Sequence, residues 1–161
     1  MDKRLQLVSY EKNMDTLFKE LYEEFDNSKF RKRKDLPLCK GIYVFYENEI
    51  PIYVGRSNNI YKRIQSHTIP SAKSESASFA FNLAKNKFLL NNEIKIKIKM
   101  KRKDFMLKEE FIKSFNEHKK NFEDADFKCI EIENDILQTM FEPYLAFKLK
   151  TYPHNNTFEN H

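Results

Sequence analysis

Gly41-Ile42-Tyr43-Val44-Phe45-Tyr46 and Ile52-Tyr53-Val54-Gly55 are two short apolar runs rich in β-branched and aromatic residues. Glu47-Asn48-Glu49-Ile50-Pro51 separates them, a polar stretch suited to a turn. Residues of the first kind fit a pleated, half-buried surface, so the pair predicts a β-hairpin. Side chains alternate faces along a strand, which puts Tyr43 with Phe45 and Val44 with Tyr46. Arg56-Ser57-Asn58-Asn59-Ile60-Tyr61-Lys62-Arg63-Ile64-Gln65-Ser66-His67 follows and predicts a helix. Ser57 or Asn58 is suited to cap it, because a short side-chain oxygen accepts from the orphan N–H groups of the first turn. Arg63 and His67, four residues apart, would then stand on one helix face.

Toward the N-terminus, Met14, Leu17, Phe18, Leu21, Tyr22 and Phe25 recur at helical spacing. They predict an amphipathic helix over 13–27, capped by Asn13 or Asp15. Residues 27–37 read as a basic linker ending at Pro37. Beyond His67, Thr68-Ile69-Pro70-Ser71 breaks the helix, since proline removes a donor and restrains its neighbour. Ala72, Ala77, Phe79, Ala80, Phe81, Leu83, Ala84, Phe88 and Leu89 predict a mostly buried helix over 71–91. From Glu93 to Met100, isoleucines alternate with Lys95, Lys97 and Lys99. That period predicts a strand with one wet face, although a helix of the 71–122 segment extending through it is the other reading. Further elements are a helix over 104–122, a strand over 127–132 and a helix over 134–149. No repeat or low-complexity linker divides the chain, so a single domain over 1–161 is expected, of α+β class.

The 161 residues suffice for a real core. The formal charge of +5 comes from 29 basic and 24 acidic residues, and it favours a polyanionic partner. The basic residues cluster at Arg31, Lys32, Arg33 and Lys34, and again from Lys95 through Lys97 and Lys99 to Lys103. Cys39 and Cys129 lie far apart without metal-ligand spacing, as expected of reduced thiols in a cytoplasmic protein. No apolar run is long enough to span a membrane, and the N-terminus has no apolar signal core.

Two triplets at hairpin spacing, Gly41-Ile42-Tyr43 and Tyr53-Val54-Gly55, followed by Arg63 and His67, resemble the core of a GIY-YIG nuclease, with Val in place of the second Ile. The resemblance implies a small, mainly antiparallel central sheet of about three strands, flanked by helices. Its third strand, here 127–132, would lead into the helix that carries the catalytic Glu. The family core would occupy 41–67 and 127–158, with 71–122 as a helical insertion. The implied activity is metal-dependent DNA endonuclease, with Mg²⁺ (or Mn²⁺) as cofactor and DNA as partner. The alternative is a catalytically inactive nucleic-acid-binding module of the same fold.

Hydrolysing a phosphodiester requires that a water lose a proton, that charge on the phosphate be stabilised, and that the leaving oxygen be neutralised. The resemblance implies catalytic roles for Tyr43, Tyr53, Arg63, His67 and Glu142, which are expected to line one open cleft. Glu142 matches the family's metal-binding carboxylate, and one carboxylate suits a hydrated Mg²⁺ or Mn²⁺. Pro143 directly after it predicts a kink or a new helix start. Tyr43 is the candidate base or water-positioning residue, and Tyr53 would contact the phosphate or the water. Arg63 has the planar fork that suits non-bridging phosphate oxygens, with His67 as donor or proton relay. Arg56 would assist the same charge. Asn156, or alternatively Asn155, matches an Asn that braces the site. Arg31, Lys32, Arg33, Lys34, Lys95, Lys97 and Lys99 are candidates for phosphate-backbone contacts.

Overall fold

In the computed structural model of the chain, which describes residues 14–69, 71, 73–91 and 100–151, the hairpin turns on Asn48 and Glu49. These two residues have φ of 50° and 65°, the left-handed values whose twist matches that of the strands they join. Strand β1 is Gly41–Glu47 and β2 is Ile50–Ser57. The turn is thus tighter than the expected 47–51, and Pro51 lies inside β2. Proline is tolerated there because β2 is an edge strand, the sheet order being β2-β1-β3. A register shift between Phe45 and Tyr46 pairs Phe45 with Tyr53 but Tyr46 with Pro51, so a bulge absorbs Ile52. Strand β3, Asp126–Glu131, runs antiparallel to β1 and begins one residue before the expected 127–132.

The chain divides into two compact units. The first takes residues up to Lys62 and from Asp126 onward, and the second is Arg63–Ala125. In the first, helix α1 (Met14–Asn27) and the last helix contribute to the core on one face of the sheet. Ile42, Val44, Tyr46, Val54 and Ile130 join Phe25, Phe141, Leu145 and Ala146 there. The opposite face carries Tyr43, Phe45, Tyr53 and Phe127. Phe45 packs 4.8 Å from Phe127 and 6.0 Å from Tyr53, centroid to centroid.

Helix α2, Ile60–Thr68, starts in the first unit and ends in the second. Its cap is Asn59, not Ser57 or Asn58: Asn59 Oδ1 accepts from the Lys62 N–H at 2.9 Å. Ser57 is still the last residue of β2, and its Oγ accepts from the Asn59 N–H at 3.0 Å. The first N–H groups of α2 go to the 37–39 segment, Ile60 to the Cys39 carbonyl at 2.9 Å and Tyr61 to that of Pro37 at 3.3 Å.

The second unit contains α3 (Ser78–Asn91), α4 (Arg102–Phe105) and α5 (Glu109–Asn121). The helix expected over 71–91 begins only at Ser78, because the Lys73 carbonyl accepts from the N–H groups of Ser76 and Ala77 in a turn, a conformation that Ser favours. The helix expected over 104–122 is broken after Phe105. On one continuous helix Phe105 and Phe111 would point about 120° apart. The break lets their rings meet at 5.2 Å in a cluster with Phe81 and Phe88. Residues 93–99 of the strand expected over 93–100 lie outside the described residues.

Helix α6, Asp135–Lys148, returns to the first unit. Asn134 caps it by accepting from the Leu137 N–H at 2.9 Å. The helix runs through Pro143, so a new helix does not start there. Pro143 has no N–H to give to the carbonyl of Thr139, four residues earlier.

Candidate active site

Neither triplet glycine has positive φ, so both are needed for room and not for backbone freedom. A Cβ on Gly41 would run into the Ile130 carbonyl oxygen on β3. A Cβ on Gly55 would stand 2.5 Å from both Cζ and Oη of Tyr43, and 2.9 Å from Cε1 of Tyr53. Gly55 therefore lets the Tyr43 ring lie across β2 toward the edge of the sheet. The register confirms the shared face: Tyr43 pairs with Gly55, and Phe45 with Tyr53. The two tyrosine rings are 6.3 Å apart. Tyr43 is buried and Tyr53 half-buried.

Arg56 is next along β2 and pairs with Ile42, so it leaves the sheet on the other face, the one that α6 covers. Its Nε donates to Glu142 Oε2 at 2.9 Å, and its Nη1 donates to Thr139 Oγ1 at 2.7 Å. The Glu142 side chain is 9% exposed against 45% for Arg56. A carboxylate so enclosed needs a partner, and the guanidinium supplies one. Thr139 itself donates to the Asp135 carbonyl at 2.8 Å. Its hydroxyl proton is thereby committed, and its lone pairs face Arg56.

The described residues of the first unit thus give two groups on neighbouring positions of the edge strand. The tyrosines lie on one face and the Arg56–Glu142 pair on the other. Arg63 and His67 belong to the second unit. Arg63 is half-buried, with Nη1 3.4 Å from the Ser76 carbonyl and Nη2 3.4 Å from Ser78 Oγ. Such long bonds leave the guanidinium available to a better acceptor. His67 is fully buried. Burial, and secondarily the Arg63 charge, lower its pKa to about 3, so the imidazole is neutral at ordinary pH. Tyr43, His67 and Glu142 are each buried.

Of the first basic cluster, Lys32 pairs with Asp126 at 2.8 Å, and Arg31 Nη1 donates to the Asp35 carbonyl at 3.3 Å. Lys34 is exposed and Arg33 half-buried. Lys95, Lys97, Lys99, Asn155 and Asn156 lie outside the described residues. Cys39 and Cys129 are free thiols, and burial pushes that of Cys129 up to about 11.

Among the described residues no group of three or more His, Cys, Asp or Glu is arranged to hold a metal ion. A hydrated Mg²⁺ or Mn²⁺ needs only one or two carboxylates, with water and substrate phosphates completing its shell. Glu142 is a donor of that kind. Sequence reasoning missed Thr139, although a helix places residues three apart on one face and Thr139 precedes Glu142 by that interval.

Among the described residues no helix is long and apolar enough to cross a membrane. No curated protein and no solved structure matches the chain. The family model of the GIY-YIG catalytic domain matches residues 39–142, from the residues that lead into β1 through both triplets and α2 to Glu142 itself. The chain therefore belongs to the GIY-YIG nuclease family.

Proposed function

We propose that this protein is a metal-dependent DNA endonuclease that hydrolyses phosphodiester bonds. The observation that carries the reading is the join at the edge of β2. There the Tyr43 hydroxyl crosses Gly55, and the next residue, Arg56, holds the Glu142 carboxylate. A phenol, a guanidinium and a carboxylate are the group types that the reaction uses; at this sheet edge the phenol lies on one face and the guanidinium–carboxylate pair on the other.

In this reading Tyr43 orients the attacking water and, in its phenolate form, accepts its proton, with Tyr53 beside it. The water oxygen forms a bond to phosphorus as the bond to the leaving ester oxygen breaks, and that oxygen takes up a proton from solvent water. Arg63 holds the non-bridging oxygens and offsets the charge that builds on them. His67, neutral at ordinary pH, serves as an N–H donor and positions its neighbours on α2. Glu142 would hold Mg²⁺ or Mn²⁺, which when bound supplies Lewis-acid stabilisation of the phosphate. The exposed basic residues Arg31, Lys32 and Lys34 add sequence-independent attraction to the backbone, with Arg33 beside them. The roles of Arg63, His67 and Asn156 rest on the family resemblance.

One observation favours the alternative, an inactive nucleic-acid-binding module. The Glu142 carboxylate already has a cationic partner, as a purely structural bridge would. Nicking of supercoiled plasmid in Mg²⁺, Mn²⁺ and chelator separates the two. The endonuclease reading expects relaxation of the plasmid that chelator stops and that Glu142→Gln abolishes. DNA binding without nicking under every condition would establish the inactive module.

A further inference from the structure

Arg56 and a divalent cation would need the same carboxylate. Arg56 is held at two points of α6, by Glu142 Oε2 at 2.9 Å and by Thr139 Oγ1 at 2.7 Å. Glu142 and Thr139 lie three residues apart, on one helix face. The second contact is itself fixed, because the Thr139 hydroxyl proton goes to the Asp135 carbonyl. The Arg56 side chain is 45% exposed, so a phosphate oxygen can approach it without unfolding anything.

We infer that Arg56 is a latch on the metal carboxylate: it holds Glu142 in the nucleic-acid-free protein, Thr139 positions it there, and a phosphodiester draws it off. The inference rests on the reading of Glu142 as the metal ligand. Its physical basis is charge balance. An enclosed carboxylate is costly without a cation, and Arg56 meets that need while the site is empty of substrate. An incoming cation must then displace a charge-assisted hydrogen bond, which lowers its affinity. A phosphodiester offers Arg56 a second anionic acceptor of matching geometry. Moving Arg56 onto the phosphate releases Glu142, so cation and nucleic acid bind with positive coupling. The site acquires its metal only when there is something to cut.

The test is Mn²⁺ binding by the full chain, read from the electron paramagnetic resonance signal of the free ion, with thermal melting to verify folding. Without nucleic acid, Arg56→Gln is expected to bind Mn²⁺ roughly tenfold more tightly than the parent, the scale of one hydrogen bond to a charged group after discounting its exposure. Thr139→Val should move affinity the same way by about threefold, and Thr139→Ser should restore it, since the hydroxyl is what Arg56 uses. A bridge of merely structural value would leave affinity unchanged or weaken it. Adding a phosphorothioate duplex that resists cleavage should tighten Mn²⁺ binding in the parent and do so much less in Arg56→Gln. Glu142→Gln should lose the site, alone and combined with Arg56→Gln.

If Arg56→Gln binds no more tightly while Glu142→Gln abolishes binding, the latch is overturned and the metal site stands. If the double variant binds as Arg56→Gln does, Glu142 is not the ligand, and the reading beneath the latch fails. Equal tightening by the duplex in parent and Arg56→Gln would overturn the release by phosphate. Should Arg56→Gln melt far below the parent, Arg56→Lys serves instead, since it keeps a charge but not the two-point fork, and a smaller gain of about threefold, like that of Thr139→Val, is expected; no gain would overturn the latch.

Discussion

The ring of Tyr43 lies across Gly55, so that a single added methyl on the glycine would stand 2.5 Å from the phenol oxygen. The second triplet's glycine thus serves the first triplet's tyrosine. Gly55→Ala should push the Tyr43 ring aside, costing about 1–3 kcal/mol of stability by overpacking. Cleavage should fall much further, because the hydroxyl leaves its place. Replacing Tyr43 by Val removes the clash, so the alanine should cost far less stability in that background, a non-additivity expected of contacting residues. Equal melting-point losses in both backgrounds would show that the clash is relieved elsewhere.

Glu142→Gln keeps the shape of the side chain and removes its charge. Cleavage should be lost, with DNA affinity and folding little changed, because Arg56 is partly exposed and water can solvate it. Plasmid nicking, gel shift and thermal melting measured together decide this. A parallel collapse of all three would mean that Glu142 is structural.

Arg63→Ala should lower the single-turnover cleavage rate by on the order of 10²–10³, with a much smaller loss of DNA affinity. Arg63→Lys should recover little, since a point charge lacks the bidentate fork. The rates must be compared at saturating protein, so that weakened binding is not read as slower chemistry. An unchanged saturated rate would make Arg63 a phosphate anchor.

His67 carries a prediction about pH. Burial lowers its folded pKa to about 3, below the ordinary 6.5. As pH falls below the ordinary value, the unfolded chain takes up a proton that the folded chain refuses. The stability of the neutral imidazole is therefore full above the ordinary value and is lost as pH falls toward the folded one. The limiting slope is about 1.4 kcal/mol per pH unit. His67→Gln should flatten the acid limb of the stability curve by that amount in denaturant titrations. The cleavage rate of the parent should show no inflection near neutrality that disappears in His67→Gln. An inflection of that kind would place a titrating His67 in the reaction.

The hairpin, the third strand, α1 and α6 could be read from local pattern, because their apolar spacing and turn residues are local properties. The two triplets and the Arg63/His67 pair were legible for the same reason: residues close in sequence keep their relative places in a strand or helix. Helix boundaries at 71–91 and 104–122 were not, because Phe105 and Phe111 obey a cluster that a local pattern does not contain. That Gly55 makes room for Tyr43 follows from strand pairing, since it depends on a cross-strand register shifted by a bulge. Long-range packing brings Arg56 to Glu142, 86 residues along the chain, and a second guanidinium nitrogen to Thr139. A contact of that separation is set by how α6 crosses the edge strand. Packing of distant elements fixes that crossing, and no periodicity along the chain encodes it.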